Sequence, residues 1–234
     1  MNNQLTILST RELEAGLVEE LLSREIVFDQ IPFIEMIPRN EPGLAGEVNS
    51  LTSVSLLAIF TSRTSIAAVE AMLEKKPGNW KIACMGGATR KQAADLFGEN
   101  AIVLTSGSAK ELGEKLLVLE NDGPIVFFAG NRRLNELPDV MEKNGKAMRE
   151  LIVYDTIETP VKVDEEYDAI LFFSPSAAQS YFSVNSVPQK TVLFSIGETT
   201  AAVLRKLAPN KVLVSPIHSP ERLIETVLGY FGRK

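Results

Sequence analysis

The chain has 234 residues, 45 % of them hydrophobic and 23 % charged, which suits one or two domains and a sizeable core. Its formal net charge of −6 disfavours nonspecific binding to nucleic acid or to an acidic membrane surface. One cysteine, Cys84, excludes an intrachain disulfide and a cysteine metal cluster, and fits a reducing compartment.

The N-terminal MNNQLTILSTRELE has no basic segment followed by an apolar one, so no secretory signal is read. No apolar run approaches the roughly 20 residues of a membrane span. A cytoplasmic location is the expectation. Residues 5–8 are a short apolar run ending in Ser9-Thr10. Leu13, Leu17, Leu21 and Leu22 then recur at helical spacing across 11–23. Residues 26–37 form a long extended segment with Pro32 and alternating apolar residues, read as a strand that leaves one domain and enters another. Residues 39–50 are a polar loop leading into a short helix.

Strand-like runs follow at 56–60, 81–85, 101–104 and 124–129. Each ends in small or polar residues: Thr61-Ser62-Arg63, Gly86-Gly87-Ala88-Thr89, Thr105-Ser106-Gly107-Ser108 and Gly130-Asn131-Arg132. Helical patterns follow at 66–73, 90–97, 109–119 and 134–143, the last ended by Gly145. Residues 149–158, with Tyr154 and Asp155, are a second long extended segment that mirrors the first. The remaining apolar runs, 169–173, 191–196 and 211–214, lead to Ser174-Pro175-Ser176, Gly197-Glu198-Thr199-Thr200 and Ser219-Pro220-Glu221. A strand that feeds a helix through Ser, Thr or Gly leaves backbone N–H groups free at the helix start. The helix dipole adds positive potential there. Three such starts on one sheet edge predict a receptor for a ligand with several negative groups.

The chain also repeats itself. Residues 59–63 align with 171–175 at an offset of 112, and 84–89 with 195–200 at 111. Residues 103–108 align with 214–219 at 111, and 8–11 with 129–132 at 121. Every match falls on a strand-to-turn junction, which predicts duplication. Strands alternating with helices predict an α/β protein with parallel sheets covered on both faces. The expected architecture is two similar doubly wound domains of flavodoxin or Rossmann type. Because the extended segments follow the first unit of each repeat, the domains are expected to be segment-swapped. Residues 1–31 plus 160–234 form a discontinuous domain and 39–153 an inserted one. Residues 32–38 and 154–159 form a two-stranded hinge ladder.

Five segments then carry a resemblance: Phe172-Phe173-Ser174-Pro175-Ser176-Ala177, the run Ser195-Ile196-Gly197-Glu198-Thr199-Thr200, Ser219-Pro220-Glu221-Arg222-Leu223, Val153-Tyr154-Asp155-Thr156 and Ile59-Phe60-Thr61-Ser62-Arg63. In order and spacing the chain resembles the uroporphyrinogen-III synthase family over nearly its whole length. The resemblance implies two swapped α/β domains joined by a two-stranded ladder. It implies a cyclising lyase of tetrapyrrole (haem) biosynthesis that closes hydroxymethylbilane with inversion of the last pyrrole ring, giving uroporphyrinogen III and water. No cofactor and no metal is implied. A monomer, and transient contact with the upstream bilane-forming enzyme, belong to the same expectation.

Tyr154 matches the family's cleft tyrosine, placed to assist departure of the hydroxyl by hydrogen bonding or proton donation. Its plain reading is an aromatic packed on a linker strand. Eight substrate carboxylates need many donors, and the turns are expected to supply them through Thr10, Arg11, Thr61, Ser62, Arg63, Gly86, Ser108, Asn131, Arg132, Ser174, Ser176, Gly197, Thr199, Thr200 and Ser219. Arg133 is expected to add local positive charge. Helix capping alone would also explain Ser62, Ser174, Ser176, Thr199, Thr200 and Ser219. The two roles are compatible, because a cap fixes the amides that would hold a carboxylate. Gly86 and Gly197 let the backbone approach a ligand. Gly86-Gly87-Ala88-Thr89 is not a dinucleotide fingerprint, since it lacks the third glycine and a suitably placed acid. Cys84 reads as a small buried hydrophobe, and His218, the single histidine, as an exposed loop residue. The alternatives are a two-domain cytosolic protein that binds a small anion without catalysis, and a relative that kept the fold and lost the activity.

Overall fold

The computed structural model describes residues 4–232. They divide into two compact units. One runs up to Glu35 and resumes at Ile157; the other is Met36–Thr156. The first unit holds β1 (Thr6–Ser9), α1 (Ala15–Ser23) and β2 (Val27–Gln30). β3 (Ile34–Pro38) carries the chain into the second unit, which continues with α2 (Leu44–Leu51), β4 (Leu56–Phe60), α3 (Arg63–Met72), β5 (Trp80–Met85), α4 (Ala88–Phe97), β6 (Ile102–Ser106), α5 (Ala109–Val118), β7 (Ile125–Gly130) and α6 (Glu136–Lys143). β8 (Arg149–Glu158) leads back out. β9 (Ala169–Phe172), α7 (Pro175–Val184), β10 (Val192–Ser195), α8 (Glu198–Leu207), β11 (Val212–Val214) and α9 (Pro220–Tyr230) complete the first unit.

Residues 26–37, expected as one strand, are two strands in two sheets. Ile31 N donates to Ser9 O (3.0 Å) and Phe33 N to Thr10 O (3.4 Å). Pro32, which has no N–H, stands between them. Pro32 is the one mark in the sequence of the point where the strand changes sheet.

The first sheet has the order β11-β10-β9-β1-β2, with every neighbouring pair parallel. Numbered along the chain within the unit, this is the 2-1-3-4-5 order of flavodoxin-like sheets. The second sheet has the order β3-β8-β7-β4-β5-β6, and the pairs from β8 to β6 are parallel. The repeat offsets lay β7 on β1, β4 on β9, β5 on β10 and β6 on β11. With β8 in the place of β2, the second sheet repeats the first, and β3 is added beside β8. Strand order reverses between β1 and β9 in one unit and between β7 and β4 in the other. In open α/β sheets the ligand crevice lies at such a reversal, beyond the carboxyl ends of the strands.

Each sheet is covered on both faces. In the first unit, α1 and α9 bury Leu21, Leu223, Ile224 and Val227 on one side, and α7 and α8 bury Ala177, Tyr181 and Leu204 on the other. In the second, Val48, Ile66, Val69 and Ala93 of α2, α3 and α4 face Leu112, Leu116, Leu137 and Met141 of α5 and α6 across the sheet. β4 and β7 are buried throughout, as parallel strands between two helical layers must be. Phe128 stacks on Phe60 (5.2 Å between ring centroids) and on Trp80 (5.3 Å). Trp80 donates its indole N–H to Leu51 O (3.0 Å), which keeps a buried polar atom satisfied. Cys84 is fully buried, and burial pushes its thiol up to about 11. Among the described residues no helix is long and apolar enough to cross a membrane.

Candidate active site

Parallel strands all end at the same edge, so the turn residues of each unit gather along one line. In the first unit that line carries Thr10 and Arg11 after β1, Ser174 and Ser176 after β9, Gly197, Thr199 and Thr200 after β10, and Ser219 before α9. In the second it carries Asn131 and Arg132 after β7, Thr61, Ser62 and Arg63 after β4, Gly86 after β5 and Ser108 after β6.

The hydroxyls divide into two groups. Ser62, Ser174, Ser219 and Ser108 accept from the N–H groups of Ser65, Ala177, Arg222 and Glu111. They cap α3, α7, α9 and α5, each cap contributing about 1 kcal/mol. By contrast α4 and α8 begin at Gly87 and Gly197 with no side-chain cap. The repeat makes α4 and α8 equivalents. In each of the repeated triplets α3–α5 and α7–α9 the middle helix therefore begins with N–H groups that no side chain of the cap residue engages, flanked by two that are capped; α1, α2 and α6 also start without a side-chain cap. Gly87 has φ +64, a conformation that favours glycine.

Two expected contacts are already engaged inside the protein. Thr10 is completely buried, and both its N–H (3.0 Å) and its hydroxyl (2.7 Å) donate to Leu171 O. It pins β1 to β9 and has no surface to offer a ligand. Beside Ser108, the Glu111 carboxylate accepts from the Ser106 hydroxyl (2.7 Å) and from Gly107 N (3.2 Å). With Lys115 adding to these bonds, its carboxyl is held down at about 2. The protein's own carboxylate thus fills the anion site at the end of β6. Arg133, expected as open positive charge, is in a two-pronged ion pair with Glu150 (both contacts 2.8 Å). Thr200 is buried, whereas Thr199, Arg63, Asn131 and Arg132 are exposed, and Thr61, Ser176, Gly86 and Gly197 are half-buried.

Arg11 lies over the ring of Phe173, 4.3 Å from its centroid. Its charge also contributes to lowering the Glu221 carboxyl, which is held down chiefly by its own backbone N–H and by the Ser219 hydroxyl.

Tyr154 is reached by a break in β8. Ala129 pairs with Ile152, but the next residue, Gly130, pairs with Tyr154, so Val153 is an extra residue. Ile152 packs against the α5–α6 core, and Val153 against the α2–α4 core. Plain alternation would return Tyr154 to the α5–α6 side; the shift keeps it on the α2–α4 side. There the phenol crosses β7 at Gly130 and meets Ser62 at the end of β4, Oη to Oγ 3.3 Å. The backbone around it is fastened on both sides. Asn131 N donates to Tyr154 O (3.1 Å), and Thr156 N donates to Asn131 Oδ1 (2.8 Å). Asp155 takes two bonds from the Arg39 guanidinium (2.9 and 3.0 Å), while Arg39 N donates to Val153 O (2.9 Å).

The uroporphyrinogen-III synthase HemD family matches residues 16–225. The chain belongs to the uroporphyrinogen-III synthase family. Its structure is similar to that of uroporphyrinogen-III synthetase from Helicobacter pylori, with a TM-score of 0.70 at 15 % identity, covering 97 % of this chain and all of that one. It is also similar to a mutant uroporphyrinogen III synthase from the extremely thermophilic bacterium Thermus thermophilus, with a TM-score of 0.64 at 15 % identity and 98 % of each chain covered. At that identity the likeness speaks for the fold. A glutamyl-tRNA reductase of Campylobacter jejuni subsp. doylei is 30 % identical over 131 residues, 54 % of this chain. The match spans 28 % of that curated relative's length.

These strand ends are the anion-binding chemistry of the chain. They supply amides, hydroxyls and one phenol in reach of a strand-order reversal. Sequence reasoning missed Gly130, although a glycine closing an apolar strand is a known mark of close backbone approach. It also missed Ser9, Ser195 and Ser215, buried serines at strand ends. Each donates its hydroxyl to the carbonyl two residues on, at 2.5 to 2.6 Å, and so shapes the turn. Nothing in the spacing separated them from the serines that cap.

Proposed function

We propose that this chain is a uroporphyrinogen-III synthase that cyclises hydroxymethylbilane, with inversion of the last pyrrole ring, to uroporphyrinogen III and water. What carries the reading is the family match over residues 16–225. In the proposed reaction the pyrrole nitrogen's electron pair expels the hydroxymethyl oxygen, which takes a proton and leaves as water. The azafulvene-type cation that remains is attacked by the far ring, and the resulting spiro intermediate reopens and recloses inverted. Tyr154 hydrogen-bonds to the departing oxygen. Substrate carboxylates meet the uncapped starts of α4 and α8 together with Thr61, Arg63, Gly86, Asn131, Arg132, Ser176, Gly197 and Thr199. Neutral amides can hold carboxylates without a large positive charge, which reconciles a polyanionic ligand with a net charge of −6. The proposal includes a monomer acting in the cytoplasm, and transient contact with the enzyme that delivers the unstable bilane. The binding-protein alternative finds no support in the family match.

The test is to supply freshly prepared hydroxymethylbilane and separate the products. Spontaneous closure gives the type I isomer, so type III above the no-enzyme control is the expected result. Type I alone, at the uncatalysed rate, overturns the reading.

A further inference from the structure

We propose that Ser62 and Gly130 are positioning residues for the phenol of Tyr154, an inference that rests on the proposed catalytic reading of that tyrosine. β8 and β4 are not neighbours; β7 lies between them. For a side chain on β8 to reach the end of β4 it must pass over β7, and the residue it passes over is Gly130. An ideal Cβ at residue 130 would stand 2.7 Å from Tyr154 Oη and closer still to the ring carbon Cζ. Real Cβ atoms do not approach other atoms so closely, so the observed ring position exists only while residue 130 has no side chain. The backbone here pairs in register with Tyr154, and Gly130 is not among the residues with positive φ. The demand for glycine is one of space and not of backbone conformation.

Ser62 marks the end of that path. Its Oγ lies 3.3 Å from Tyr154 Oη while also accepting from Ser65 N (3.1 Å). The cap bond fixes the serine rotamer, and the rotamer fixes the point at which the phenol stops. One hydroxyl thus joins the start of α3 to the phenol. Asn131, Arg39 and Asp155 hold the strand that carries the phenol. Ser62 and Gly130 address the far end of the ring, and the ring end is what must be aimed within a fraction of an ångström of a leaving oxygen.

The experiment compares the intact protein with Tyr154→Phe, Ser62→Gly and Gly130→Ala, and with the two double variants in the Tyr154→Phe background. Ser62→Gly removes the hydroxyl but leaves a residue that helix starts accept. If the strained packing makes Gly130→Ala fail to fold, Ser62→Gly decides the question by itself. Rates of type III formation are measured, and all variants carry 3-fluorotyrosine. Of the four tyrosines, Tyr154 gives the fluorine resonance that vanishes in Tyr154→Phe. The expected result is a kcat lowered severalfold by each single change with KM within about twofold, and no further loss in the doubles. The Tyr154 resonance moves in Ser62→Gly and in Gly130→Ala. Additive losses in the doubles, or an unmoved resonance beside a lowered kcat, overturn the inference while leaving the role of Tyr154 intact. Normal turnover by Tyr154→Phe is a different failure: it removes the catalytic reading, and the inference falls with it.

Discussion

Thr10 and Glu111 show why polar residues at strand ends are poorly read from sequence. Both have the chemistry of a ligand contact, and both are engaged within the protein. The Glu111 carboxyl is ordinarily near 4.5 and is held at about 2 in the fold. A lowered folded value contributes stability that is complete above the ordinary value and disappears as pH falls through the folded one. Glu111→Gln is therefore expected to melt below the wild type at pH 7. The gap should narrow as pH falls from 4.5 towards 2, in scanning calorimetry. A gap that stays constant with pH would show that the carboxylate's charge is not what holds the turn. Thr10→Val removes one buried hydroxyl bond while Leu171 O keeps its bond from the residue 10 N–H. The expected cost is about 1 kcal/mol in denaturant unfolding, with type III formation unchanged in kcat and KM, since Thr10 has no exposed surface.

At the scale of elements, the sequence was informative where a strand ended in a helix start and uninformative where a strand only changed neighbours. Runs 56–60 and 149–158 are strands to the residue. The register shift at Val153 that redirects Tyr154 left no pattern, because Leu151, Ile152 and Val153 are apolar on both sides of the alternation. The repeat predicted equivalent helices, yet not that α4 and α8 would be the uncapped members of the triplets α3–α5 and α7–α9. That follows from glycine standing where α3, α5, α7 and α9 have serine. Gly197 has φ −172, ordinary extended backbone, so a side chain there is not strained by conformation. Its ideal Cβ would meet His218 Cδ2 at 3.0 Å, and His218 is exposed and free to turn aside. Gly197→Ser should fold normally and gain a few tenths of a kcal/mol from the new cap. Its hydroxyl would then compete with substrate for the first N–H groups of α8. The expected outcome is a KM raised severalfold with kcat and melting temperature little changed. An unaltered KM would take the start of α8 out of the binding surface.

For the whole molecule, the repeat offsets already contained the correspondence between the strands of the two sheets. Laying 129–132 on 8–11 puts β7 where β1 stands, and the remaining offsets fill the other positions. What the offsets did not reveal is how far each unit depends on the chain segments it draws together. The Met36–Thr156 unit is continuous, with an apolar core on each face of its sheet. The other unit places β1 inside its sheet, between β2 and β9, so its C-terminal stretch lacks an inner strand without the N-terminal one. Without β1 and α1, the buried edge of β9 would expose unpaired N–H and C=O groups, and Leu171, Phe194 and Leu223 would lose the core partners Ile7 and Leu21. A fragment of residues 34–158, which keeps β3 and β8 whole, is therefore expected to unfold in one cooperative thermal transition followed by circular dichroism. A fragment of residues 157–234 should show no such transition alone and should acquire one when residues 4–33 are supplied as a peptide. A cooperative transition in 157–234 by itself would mean that β9, β10 and β11 with three helices form a sufficient core. In that case β1 would be an addition to the unit and not its keystone.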